Sequence, residues 1–125
     1  MKTTFLASIA ICAATIANGE VYMGMYQQLG GSCRDLGDSY FQIGEGWVGA
    51  HEEYCEIISF TNLNRTAEYA LVTRCWSEGE DLGEVRYRIA SAQTAEGPGI
   101  VVYTAPTGSG VGYELTYKFC PGADF

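Results

Sequence analysis

The chain has 125 residues, with 15 Asp and Glu against seven Lys and Arg, a formal net charge of −8. That length holds one domain and not two. The acidity argues against nucleic acid, whose phosphates would repel it, and against anionic lipid surfaces. It suits a basic partner, although exported proteins are also acidic for solubility alone.

Residues 1–19 read as an export signal. Lys2 supplies the positive start, and Phe5 to Ala17 form an apolar stretch. That stretch is too short for a bilayer core, which needs roughly 20 residues. Ala17-Asn18-Gly19 places small residues where a signal peptidase reads, so the expected domain is 20–125, with cleavage after Ala17 as the alternative. Cys12 falls in the discarded part, and Ile11 is too bulky to precede a lipidated cysteine. No later segment is long and apolar enough to span a membrane, so the expected product is secreted or periplasmic, not membrane-inserted, and monomeric. Losing Lys2 takes its charge to about −9.

Strand patterns follow in order. Val21 to Tyr26 is expected as the first strand. Tyr40–Ile43 and Trp47–Ala50 form a hairpin across Gly44-Glu45-Gly46. Glu56–Phe60 and Tyr69–Arg74 are rich in β-branched and aromatic residues and flank a turn near Asn64-Arg65. Val85, Tyr87 and Ile89 alternate with Glu84, Arg86 and Arg88, as a strand with one buried face requires. Ala90 to Ala95 could make a single helical turn. Ile100–Tyr103 is short and apolar, and Tyr113, Leu115, Tyr117 and Phe119 share one face of the last run. Gly-rich turns at Glu78–Gly83, Glu96–Gly99 and Pro106–Gly110 separate these segments. The expected fold is all-β: a small antiparallel meander forming a barrel or a sandwich. The nine tyrosines fall mostly on the same faces as Leu, Ile and Phe, which points to core filling more than to an exposed binding stripe.

Four cysteines remain after the signal: Cys33, Cys55, Cys75 and Cys120. In a small exported domain these make two disulfides. Cys55 and Cys75 lie about equally far from the turn near Asn64-Arg65, so they face each other if the flanking strands pair. Cys33 then joins Cys120. The sequential pairing, Cys33 with Cys55 and Cys75 with Cys120, clips the early hairpin instead. With no C-x-x-C pair and one histidine, neither a zinc set nor redox catalysis is indicated, and no cofactor is expected.

Catalytic patterns are sparse. His51 begins the string His51-Glu52-Glu53, which lacks the second histidine of a zinc protease. Ser32 and Ser109 sit in Gly-flanked loops, but Thr107-Gly108-Ser109-Gly110 does not make a nucleophile elbow. Gly108 and Gly110 have no following G-K-[ST], so they favour a tight turn over a phosphate cradle. Glu78, Glu80, Asp81 and Glu84 crowd a turn that could hold Ca²⁺ weakly but has no EF-hand spacing. Asn64-Arg65-Thr66 is a glycosylation triplet.

The expected function is therefore an exported, non-catalytic binding domain for a basic protein or a small ligand. Its sharpest form is an inhibitor of a secreted hydrolase, acting through loops at Glu78, Glu80, Asp81 or Gly108, Ser109, Gly110. A small hydrolase using His51 and an envelope-associated structural protein are the alternatives. The plan is similar to that of small exported β-domains such as periplasmic inhibitors of lysozyme or proteases, with no diagnostic motif behind the likeness.

Overall fold

A computed structural model of the chain describes residues 21–63, 67–106 and 111–122. The expected export signal at residues 1–19, the Asn64-Arg65-Thr66 triplet and the turn Gly108-Ser109-Gly110 fall outside the described residues. The strands are β1 (Gly24–Gln28), β2 (Tyr40–Gly44), β3 (Trp47–Ala50), β4 (Glu53–Asn62), β5 (Glu68–Ser77), β6 (Glu80–Thr94), β7 (Gly97–Pro106) and β8 (Tyr113–Cys120). Each pairs antiparallel with the next, and β8 returns to β1, closing a barrel. Closure decides between the barrel and the sandwich, and it leaves the meander without a terminal edge for another strand to join.

Side chains alternate across the wall with period two. Register puts Tyr26 opposite Phe41 on one side and Phe119 on the other. Tyr117 faces Ile100, and Leu71 faces Tyr87. These inward residues, with Ile43, Val48, Ile89 and Val102, form the buried core. Burial of each such side chain is worth about 1.5–3 kcal/mol. Val21 and Tyr22, ahead of β1, join this core. The Tyr26 hydroxyl donates to the Tyr22 carbonyl at 2.6 Å and accepts from its N–H at 3.0 Å. Tyr22, Tyr26, Tyr69, Tyr87 and Tyr117 are all buried, so most inward tyrosines do fill the core.

Some boundaries differ from those read in the sequence. The first strand starts at Gly24, because Val21 and Tyr22 leave the sheet for the core. No helical turn forms at Ala90–Ala95: β6 runs on through Thr94, since Ser91–Thr94 pair with Gly97–Ile100. The preceding turn is also tighter than expected. Only Glu78-Gly79 lies between β5 and β6, and Glu80 and Asp81 already belong to β6.

Gln27 faces outward yet is 1% exposed. The connection 29–39 folds over it. Its Nε2 donates to the carbonyls of Ser32 (2.9 Å) and Leu36 (3.1 Å), and its Oε1 accepts from Ser39 Oγ (2.7 Å). The Cys33–Cys120 disulfide pins this loop to β8. The second disulfide, Cys55–Cys75, joins facing residues of β4 and β5 inside the barrel. The nested pairing is therefore the one formed.

Outward positions carry Glu56, Arg74, Arg86, Arg88, Glu114 and Lys118, while the interior is apolar. A lipid-facing barrel needs the reverse. No helix among the described residues is long and apolar enough to cross a membrane.

Candidate functional site

Successive connections alternate between the two barrel ends. One end therefore carries loop 29–39, the β3–β4 turn His51-Glu52 and the β5–β6 turn Glu78-Gly79. Glu78 (φ 51°) and Gly79 (φ 85°) both adopt positive φ, the geometry that matches strand twist in a two-residue hairpin. Glu52 also has positive φ, 59°, a region L-residues with a long side chain seldom occupy. Both glutamates are thus held at turn tips, exposed to solvent.

Asp81 is tied down. Its Oδ1 accepts from the Gly83 N–H at 2.8 Å, and Arg74 donates to its Oδ2. The Arg74 hydrogen bond, helped by that amide, holds the Asp81 carboxyl below its usual range. The contact is internal, so Asp81 supplies structure as well as charge. Glu78, Glu80 and Asp81 do share one exposed hairpin, as their spacing implies.

Below this rim, on the outer wall, lie Trp47, Tyr54 and Trp76. Register sets Gly49, Tyr54, Trp76 and Asp81 in one line across β3, β4, β5 and β6. Ring centroids are 5.6 Å apart for Trp47–Tyr54 and 6.3 Å for Tyr54–Trp76, each pair tilted by 31°. Two glycines let the first ring lie flat. A Cβ on Gly44 would come within 2.2 Å of the Trp47 indole, and one on Gly49 within 3.3 Å. Tyr54 remains 49% exposed. The Arg74 guanidinium stands 6.0 Å from the Trp76 ring centroid, within cation–π range. This strip was not singled out from the sequence. Its signal was the outward phase of Trp47, Tyr54 and Trp76 beside the inward Val48, Cys55 and Cys75.

His51 is exposed in its turn. Its Nε2 lies 3.6 Å from Asp38 Oδ1 and 3.7 Å from Glu52 Oε2, and its ring meets Tyr40 edge-on at 6.4 Å. Those distances are longer than hydrogen bonds, and among the described residues no serine, threonine or cysteine side chain is a partner of the imidazole. Ser32 stabilises its own turn, its Oγ accepting from the Arg34 N–H at 3.0 Å.

Inside the same end, half-buried Glu53 points toward the interior disulfide. Burial pushes its carboxyl above the ordinary value. Burial also raises the Tyr87 phenol, and the negative charge of Glu53 adds to that. Ligand atoms of Glu53, Cys55 and Cys75 lie within 4.8 Å of one another. Both sulfurs are committed to the disulfide, so neither is the thiolate a soft metal needs.

On the far wall a shallow groove of about 600 Å³ crosses β5–β8, floored by Ala70, Ala90 and Val101. Both of its arginines are already paired, Arg88 with Glu68 (3.7 Å) and Arg86 with Glu84 (2.7 Å). No family model matches the sequence, and searches of curated proteins and of solved structures return no significant match.

Proposed function

We propose that this protein is an exported, non-catalytic binding domain for a basic protein, using the corner formed by β3–β6. The observation that carries the reading is the outward-facing Trp47–Tyr54–Trp76 strip, its tyrosine exposed and its tryptophans half-buried, beside the acidic turn tips Glu52 and Glu78 and the adjoining Glu80. Trp and Tyr dominate the energetics of protein interfaces. Surrounding charge of one sign steers a partner of the other. The wall beneath is a filled barrel fixed by two disulfides, so little ordering entropy is lost on docking. A cationic secreted hydrolase, such as a lysozyme, fits these requirements, and docking at its cleft would inhibit it.

The test is binding of the mature chain to a panel of basic secreted hydrolases, read by surface plasmon resonance and by inhibition. At least one should bind, and Tyr54→Ala should weaken it by about tenfold, as loss of an interface anchor does. Absence of binding and inhibition across the panel, or equal binding by Tyr54→Ala and Trp76→Ala, would overturn the reading.

A further inference from the structure

We infer that the aromatic strip receives an arginine side chain of the basic partner, in a place that Arg74 partly occupies in the free protein. The inference rests on the binding reading above and names the chemistry of its contact. Arg74 shows what the strip accepts. Its guanidinium stands over Trp76 at 6.0 Å while its terminal nitrogen donates to Asp81. An aromatic face on one side and a carboxylate at the edge is a complete setting for a guanidinium.

The platform is larger than one guanidinium. Tyr54 and Trp47 extend it by centroid steps of 6.3 and 5.6 Å. Glu56 stands in register between Trp47 and Arg74 on the same outer face, and it is exposed. No cation of the described residues lies within ion-pair distance of Glu56. Trp47 and Glu56 are thus cross-strand partners on β3 and β4, as Trp76 and Asp81 are on β5 and β6, so a ring paired with a carboxylate recurs two strands over. Charge complementarity therefore selects a cation. The flat-lying rings select a planar one, because guanidinium stacks on an aromatic face where ammonium stays hydrated.

Both tryptophans of the chain lie in the strip, so their fluorescence reports on it alone. The mature chain is titrated with the N-acetylated forms of tri-arginine amide, tri-lysine amide and tri-citrulline amide, and with the fully N-acetylated chitohexaose. Tri-arginine should change the emission saturably, tri-lysine should bind at least about threefold more weakly, and the two neutral probes should have no effect. Arg74→Ala should bind tri-arginine several-fold tighter, because the resident cation is gone. Tyr54→Ala and Glu56→Gln should each weaken it. All of these residues are on the outer surface, so none of the variants removes a core contact. No saturable response, an equal response to citrulline or the saccharide, or no tightening in Arg74→Ala would overturn the inference. If tri-arginine is silent while a hydrolase still binds in a Tyr54-dependent way, the arginine site fails and the binding reading stands. If tri-arginine binds and no hydrolase does, the arginine site stands and the hydrolase reading fails.

Discussion

Glu52 and Glu53 are neighbours in the chain with opposite surroundings. Glu53 points inward, and burial raises its carboxyl from the ordinary value of 4.5. The folded state therefore holds that proton more tightly than the unfolded one. Its contribution to stability is greatest below the ordinary value and is lost as pH rises through the raised one. Glu53→Gln should thus melt higher than the parent at pH 7 and converge with it near pH 4, in thermal melts across that range. Asp81 and Glu96 act with the other sign. Hydrogen bonds from Arg74 and from Lys118 lower their carboxyls, so their support is present at neutral pH and fades on acidification. Both are exposed, so the effect is small. Glu52, at φ 59°, sits where glycine carries no steric penalty. Glu52→Gly should raise stability by about 1 kcal/mol, read by denaturant midpoint. The same change should slow association with a cationic partner if that carboxylate belongs to the steering rim, since strained residues concentrate where function holds them.

Among the elements, the strands were legible because their alternation is a direct print of burial. Val85, Tyr87 and Ile89 face inward as their spacing indicates, and Cys55 meets Cys75 because the two stand nearly equally far from the intervening turn, a bulge taking up the one-residue difference. The aromatic strip was less legible. The Cys55–Cys75 pairing already sets Tyr54 opposite Trp76, but the way Trp47 lies over Gly44 and reaches Tyr54 depends on side-chain packing that alternation does not encode. Burial of Gln27 was invisible for a similar reason: a loop, not a strand, covers it. The same loop gives the two disulfides unequal weight. They close separations of 87 and 20 residues, worth about 4.5 and about 3 kcal/mol in the chain-entropy model. Cys33→Ser with Cys120→Ser should therefore lower the denaturation midpoint more than loss of the interior bridge. Only the first variant should open residues 29–39 to limited proteolysis. Gly44→Ala tests the strip itself. Its new Cβ would overlap the Trp47 indole, so the ring must lift, and tryptophan emission should shift with little change in far-UV dichroism.

At the scale of the whole molecule, charge and aromatic contact would act on different steps of the proposed association. The chain's excess of 15 acidic over seven basic residues produces a field that reaches beyond contact distance, about 10 Å at 0.1 M salt. Such a field raises the encounter rate with a cationic protein and hardly affects how long the complex lasts. In the proposed complex the strip would work only after contact, once water has left the rings. Glu78→Gln with Glu80→Gln should therefore lower the association rate and flatten its salt dependence, leaving dissociation nearly unchanged. Tyr54→Ala should do the opposite, speeding dissociation at an unchanged association rate. Stopped-flow or surface plasmon resonance at two salt concentrations separates the two. If both sets of variants altered the same rate constant, the acidic rim and the aromatic face would not divide the work of steering and holding in the way their placement on the barrel implies.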